Sequence, residues 1–75
     1  MKKQINNPFD PKQAGKILKE LRAKTGLTAK QVAEKIGSTE TNICSYETGR
    51  RMPRDSIKVD LANFYNVRVE EIFFR

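Results

Sequence analysis

The sequence contains no histidine and only one cysteine, Cys44. A single cysteine excludes an internal disulfide. Without histidine, one thiol cannot assemble a zinc site, and nucleophilic triads built on imidazole are excluded as well. There is no Gly-rich phosphate loop and no convincing pair of catalytic acids. An enzyme has little to work with here, and no metal or cofactor is expected. No apolar run approaches the roughly 18 residues of a membrane span. The opening stretch MKKQINNPFD has basic residues but no apolar segment behind them, so it does not read as a secretory signal. Low-complexity segments and internal repeats are also missing. These absences fit a reducing cytoplasm.

What is present is a basic chain of 75 residues, with 15 Lys and Arg against 9 Asp and Glu and a formal net charge of +6. That length makes one domain. A domain of this size buries only about 60% of the surface its unfolded chain exposes, so the core is small. The positive balance leans toward a polyanion, of which nucleic acid is the commonest.

Residues 1–10 read as a polar arm, and residues 11–75 as a domain of five short helices. The first helix starts at DPKQ: Asp10 is a good cap, Pro11 suits the first helical position, and Gln13 stands where a capping box would place it. Ala14, Ile17, Leu18 and Leu21 recur at helical spacing before Gly26. The second starts at TAKQ, with Thr28 and Gln31 as a capping box, Val32, Ala33 and Ile36 as the buried stripe, and Gly37 as the stop. The third follows almost at once, capped by Thr39, anchored by Ile43 and Tyr46, and ended by Gly49. The fourth follows RRMPR and buries Ile57, Leu61, Ala62, Phe64 and Tyr65. Asn66 ends it in the left-handed conformation. Val69, Ile72 and Phe73 define the fifth. Arg54 and Arg68 are poor caps. Asp55 is an alternative cap for the fourth helix, and Glu70 and Glu71 suit the positive end of the fifth. Five short helices with tight connections make an all-α globule.

The second and third helices meet at a glycine turn, the arrangement of a helix-turn-helix. With Ile43 pointing inward, Thr39, Tyr46 and Glu47 fall on the inner side of the third helix. Thr41, Ser45 and Thr48 fall on the outer side beside Cys44, with Glu40 on a flank. From Gly37 to Gly49 there is no Lys or Arg. A helix showing short donors and acceptors can lie in a major groove and meet base edges. The same residues would also serve a plainly solvated face, although Lys, Glu, Gln and Arg are better helix formers for that purpose.

The run LTAKQVAEKIGSTETNICSYETGRRMP resembles the Cro/phage-repressor (XRE-type) family of DNA-binding domains. The resemblance covers about residues 14 to 73. It rests on the LT start, VAEKIG, the Ile43–Tyr46–Glu47–x–Gly49 run, the basic stretch ending in Pro53, Leu61–Ala62, and V-x-V-E-E-I at 67–72. It implies a compact five-helix lambda-repressor-like domain that binds double-stranded DNA through the helix at about 39–48 in the major groove. The function it implies is that of a transcriptional regulator, a repressor first of all. Thr39, Glu40, Thr41 and Ser45 match the family's base-reading positions. Glu40 either accepts from a cytosine amino group or rejects wrong sites by repelling phosphates. Thr28, Ala29 and Lys30 at the start of the second helix, with Asn42, Thr48, Arg50, Arg51 and Arg54, match backbone positions. Arg54 also matches a position from which a narrow minor groove is reached. Where the family often has Gln, this chain has Ala29. The resemblance also implies an ion pair between Arg22 and Glu47 that fixes the helix pair.

The sequence admits other readings of several residues. RRMPR also fits a solvated loop. Cys44 is either a redox switch on the outer face or a small residue of no special role; it has no resolving cysteine and no adjacent cation in sequence. Phe74 cannot share the side of Ile72 and Phe73, so it either packs against a second subunit of a homodimer or belongs to a frayed end. Lys2 and Lys3 either touch DNA or stay in solvent. An antitoxin-type module of the same fold, which holds a protein partner and also binds its own promoter, is the alternative function. The family points to a bacterial or phage-encoded protein of the cytoplasm, on the nucleoid when bound.

Overall fold

The structure, a computed structural model, describes residues 10–73. The arm expected over residues 1–10 lies outside the described residues except for Asp10, and so does Phe74. The described residues form five helices: α1 (Pro11–Thr25), α2 (Ala29–Ile36), α3 (Glu40–Thr48), α4 (Asp55–Tyr65) and α5 (Val69–Phe73). No strand occurs among them, so the fold is all-α.

The helix ends follow from local chemistry. Thr28 and Gln31 form a complete capping box: the Thr28 hydroxyl accepts from the Gln31 amide at 3.1 Å, and the Gln31 side chain accepts from the Thr28 amide at 2.9 Å. This satisfies two orphan donors of α2. Thr39 caps α3 by accepting from the Asn42 amide at 3.1 Å. Asn66 closes α4 at φ 59°, where an asparagine is tolerated.

Two expected caps come out differently. The Asp10 carboxylate accepts from the Lys12 amide at 3.0 Å, two residues on and not from the Gln13 amide, so no capping box forms at α1. Asp55 does not cap α4. It is the first helical residue, Arg54 is the cap, and Arg54 makes no side-chain cap bond. At α5 the Glu71 carboxylate reaches back to accept from the Arg68 amide at 2.9 Å, which compensates for the arginine at the cap.

The core joins all five helices: Ala14 and Leu18 from α1, Val32 and Ala33 from α2, Ile43 and Tyr46 from α3, Leu61 and Ala62 from α4, Ile72 and Phe73 from α5. Ile17, Leu21, Ile36, Ile57, Phe64, Tyr65 and Val69 pack around it, partly exposed. α3 is held from two sides, by α1 and by α2. The contact with α1 is close because Gly15 faces it. A Cβ at Gly15 would lie 2.5 Å from the carbonyl oxygens of both Tyr46 and Glu47. Farther along, a Cβ at Gly49 would meet Lys12 Cα at 2.8 Å, so the first turn of α1 rests against the end of α3.

Candidate nucleic-acid interface

The packing of α3 decides which of its side chains face outward. Ile43 and Tyr46 are buried, 2% and 6% exposed, and they fix its rotation about its own axis. Glu40, Thr41, Cys44 and Thr48 are exposed, and Ser45 is half-buried. With Arg50, these side chains line one shallow depression along the outer face of α3. Thr39, placed on the inner side by the helical wheel, is exposed instead. The reason is that the cap lies outside the helix, with extended backbone at φ −122° and ψ 156°, so helical spacing does not apply to it.

The third helix is locked by an ion pair. Arg22 Nε donates to Glu47 Oε2 at 2.7 Å and Arg22 Nη2 donates to Glu47 Oε1 at 3.0 Å, a two-pronged fork. Arg22 Nη1 donates to the Leu27 carbonyl at 3.0 Å. One guanidinium therefore ties α1, the α1–α2 turn and α3 together. The hydrogen bond to Glu47, opposed by desolvation, pushes the Arg22 pKa above its usual value. Glu47 is committed to this internal contact, with its side chain 6% exposed. Tyr65 lies nearby. Burial, reinforced by the negative charge of Glu47 and opposed by Arg22, raises its phenol to about 12.

Among the nearby cations, Arg50 lines the depression itself. Lys30 is exposed on the first turn of α2, and Arg50, Arg51 and Arg54 are exposed after α3. Ala29 is buried and its methyl belongs to the core, so its side chain offers nothing at the α2 N-terminus. The Thr28 hydroxyl is occupied by its cap bond. The Thr48 hydroxyl donates to the Cys44 carbonyl at 2.9 Å, one turn back. Asn42 is half-buried and engaged at both ends of its amide: Nδ2 donates to Ser38 Oγ at 3.2 Å, and Oδ1 accepts from Arg51 Nη1 at 3.4 Å.

Sequence reasoning missed three contributors. Gly15 stands mid-helix, where glycine costs about 1 kcal/mol relative to alanine, and that cost was the available signal for a close helix contact. Lys58 is 8% exposed, with Nζ 3.6 Å from Asp55 and 5.6 Å from the Phe73 ring centre. Its spacing from Leu61 and Ala62 matched the buried face, but its charge masked the match. Ser38 left no signal beyond its place in the turn. Among the described residues, no group of three side chains could hold a metal ion, and no helix is long and apolar enough to cross a membrane.

Two short helices joined by a tight glycine turn, the second turned outward and flanked by cations, define a helix-turn-helix domain. The chain belongs to that family: a family model described as "Helix-turn-helix domain" matches residues 13–72, and the XRE/Cro-type resemblance holds. The HTH-type transcriptional regulator ImmR of Bacillus subtilis is 41% identical over 56 residues, which make up 75% of this chain and 44% of ImmR. The chain thus spans less than half of that relative. Uncharacterized HTH-type transcriptional regulators of Archaeoglobus fulgidus and Methanocaldococcus jannaschii are 32% and 34% identical over 75% of this chain, and the match covers 80% and 85% of their lengths. With archaeal relatives present, the family does not mark the chain as bacterial or phage-encoded. Among solved structures, the DNA-binding domain of S. venezulae BldD superposes with a TM-score of 0.73 at 33% identity, covering 85% of this chain and 96% of that one. These relatives are named as transcriptional regulators and as a DNA-binding domain.

Proposed function

We propose that this chain binds double-stranded DNA in a sequence-specific way, with α3 in the major groove, and acts as a transcriptional regulator, in the first place a repressor. The observation that carries the reading is the outer face of α3. Short polar side chains are exposed there on a helix whose rotation is fixed by Ile43, Tyr46 and the Arg22–Glu47 fork. Short donors and acceptors of this kind can follow base edges without keeping the backbones apart. Thr39, Glu40, Thr41 and Ser45 are the base readers. Thr28, Ala29 and Lys30 at the α2 N-terminus, with Thr48, Arg50 and Arg51, hold the phosphates, and Arg54 reaches toward the minor groove. The relatives named as transcriptional regulators, and the solved DNA-binding domain of BldD, support the same reading.

One such domain reads a few base pairs. Two copies on half-sites about 34 Å apart, one helical turn, would supply the rest of the specificity. Selection from random DNA by the purified protein at two salt concentrations tests both points. Enrichment of a palindrome supports a dimeric reader. Salt-sensitive binding that enriches no sequence overturns the specific-regulator reading.

A further inference from the structure

The carboxamide of Asn42, in the first turn of α3, is used on both sides within the protein. It donates to Ser38 in the α2–α3 turn at 3.2 Å and accepts from the guanidinium of Arg51 at 3.4 Å. Arg51 lies three residues past the end of α3, so its side chain folds back along the flank of the helix toward its start. The backbone beneath it is tied down. The amides of Arg50 and Arg51 both donate to the Ser45 carbonyl, at 3.0 and 3.3 Å, and Pro53 is buried. The backbone of Arg51 and one nitrogen of its guanidinium are therefore placed before any ligand arrives.

We propose that Asn42 is a positioning residue: it holds Arg51 against the reading helix, aimed at a DNA phosphate, and does not itself contact DNA. The proposal rests on the DNA-binding reading above and assigns Asn42 a different task from the direct backbone contact that its helix position implied. An arginine loses several rotatable bonds when it docks on a phosphate, and immobilising such a side chain costs affinity. Holding it in the free protein removes part of that cost at binding. The guanidinium keeps N–H groups free for an anion, because it has five and the Asn42 oxygen takes one.

The test is a double-mutant cycle with Asn42→Ala and Arg51→Ala, read by DNA affinity across a salt series and by NMR relaxation of the Arg51 Nε–H group in the free protein. Alanine is a better helix former than asparagine, so the variant keeps α3. Asn42→Ala is expected to free the Arg51 side chain and to weaken DNA binding about three- to tenfold, with the salt dependence unchanged. Arg51→Ala is expected to reduce the slope of log K against log salt by about 0.9. Adding Asn42→Ala to it should then cost nothing further. If the two losses are additive, Asn42 contacts DNA on its own account and the proposal fails while the DNA-binding reading stands. Equal Arg51 mobility with and without Asn42 also overturns it. A wild-type protein that binds no DNA overturns both.

Discussion

Arg22 makes three hydrogen bonds from one guanidinium, two to Glu47 and one to the Leu27 carbonyl. Its partner carboxylate is far less exposed than it is, 6% against 23% for the two side chains. This asymmetry decides what each loss costs. Removing Arg22 strands a nearly buried carboxylate, so Arg22→Ala should destabilise the domain by about 3 kcal/mol in urea unfolding. Replacing both partners with apolar residues, Arg22→Met with Glu47→Leu, should recover most of that loss, because no charge is left behind. If the double variant is no more stable than the single one, the cost lies in packing and not in the stranded charge. Tyr65 supplies a pH-dependent counterpart. Its phenol is held protonated to about 12, mainly by burial, whereas in the unfolded chain it ionises near 10. Between these values the folded state binds the proton and the unfolded state does not. Its contribution is therefore whole below about pH 10 and is lost as pH rises toward 12. A Tyr65→Phe variant should lose less stability over that window than the wild type; equal losses would assign the alkaline sensitivity elsewhere.

At the scale of the helices, the α1–α3 contact is the most demanding. Gly15 sits in the middle of α1, where alanine would raise helix propensity by about 1 kcal/mol. Against that gain, its Cβ would lie 2.5 Å from two backbone carbonyl oxygens of α3. Backbone cannot turn aside as a side chain does, so the two helices must separate. Overpacking of this kind costs about 1–3 kcal/mol, and Gly15→Ala should come out destabilising by thermal melting. Gly26→Asn, at φ 74° with open space around it, meets no clash and should cost only about 1 kcal/mol, the strain of a left-handed backbone. A stabilising Gly15→Ala would mean that α1 and α3 slide apart without loss. These cases also show what the sequence carries and what it does not. The five helices, four of the five stops and the buried stripe of α3 were legible, because caps and apolar spacing are local properties of a few neighbouring residues. Gln13 and Asp55 come out differently because the cap geometry is set by the backbone: the Asp10 carboxylate reaches the Lys12 amide, and Asp55 already lies inside α4. Gly15, Lys58 and the Asn42–Arg51 contact depend on residues brought together by the fold, which periodicity along one helix does not record. At the interface, the outer face of α3 was legible once Ile43 had set the rotation. The engagement of Asn42 within the protein was not, because its partners come from the turn before α3 and the loop after it.

For the molecule as a whole, the formal net charge is +6, yet α3 carries no Lys or Arg and begins with Glu40. Arg50, Arg51 and Arg54 follow the helix and Lys30 stands on α2, all exposed. On the proposed reading, attraction to DNA and discrimination among sequences reside in different side chains, and two variants should separate them. Arg50→Ala removes one exposed cation beside α3; if that cation holds a phosphate, the variant should weaken binding to every DNA about equally and reduce the salt slope by about 0.9. Thr41→Ala combined with Ser45→Ala removes only short polar groups from the outer face. It should leave the salt slope and the affinity for random DNA nearly intact while reducing preference for the selected site by about 1–3 kcal/mol per lost base contact. Both variants leave the core and the Arg22–Glu47 fork untouched, so unfolding should be nearly unchanged and the binding differences can be read directly. Should the double alanine variant keep the full preference, sequence reading would have to lie elsewhere. Glu40 would then be the first position to examine, as the charged side chain on that face which can accept from a cytosine amino group.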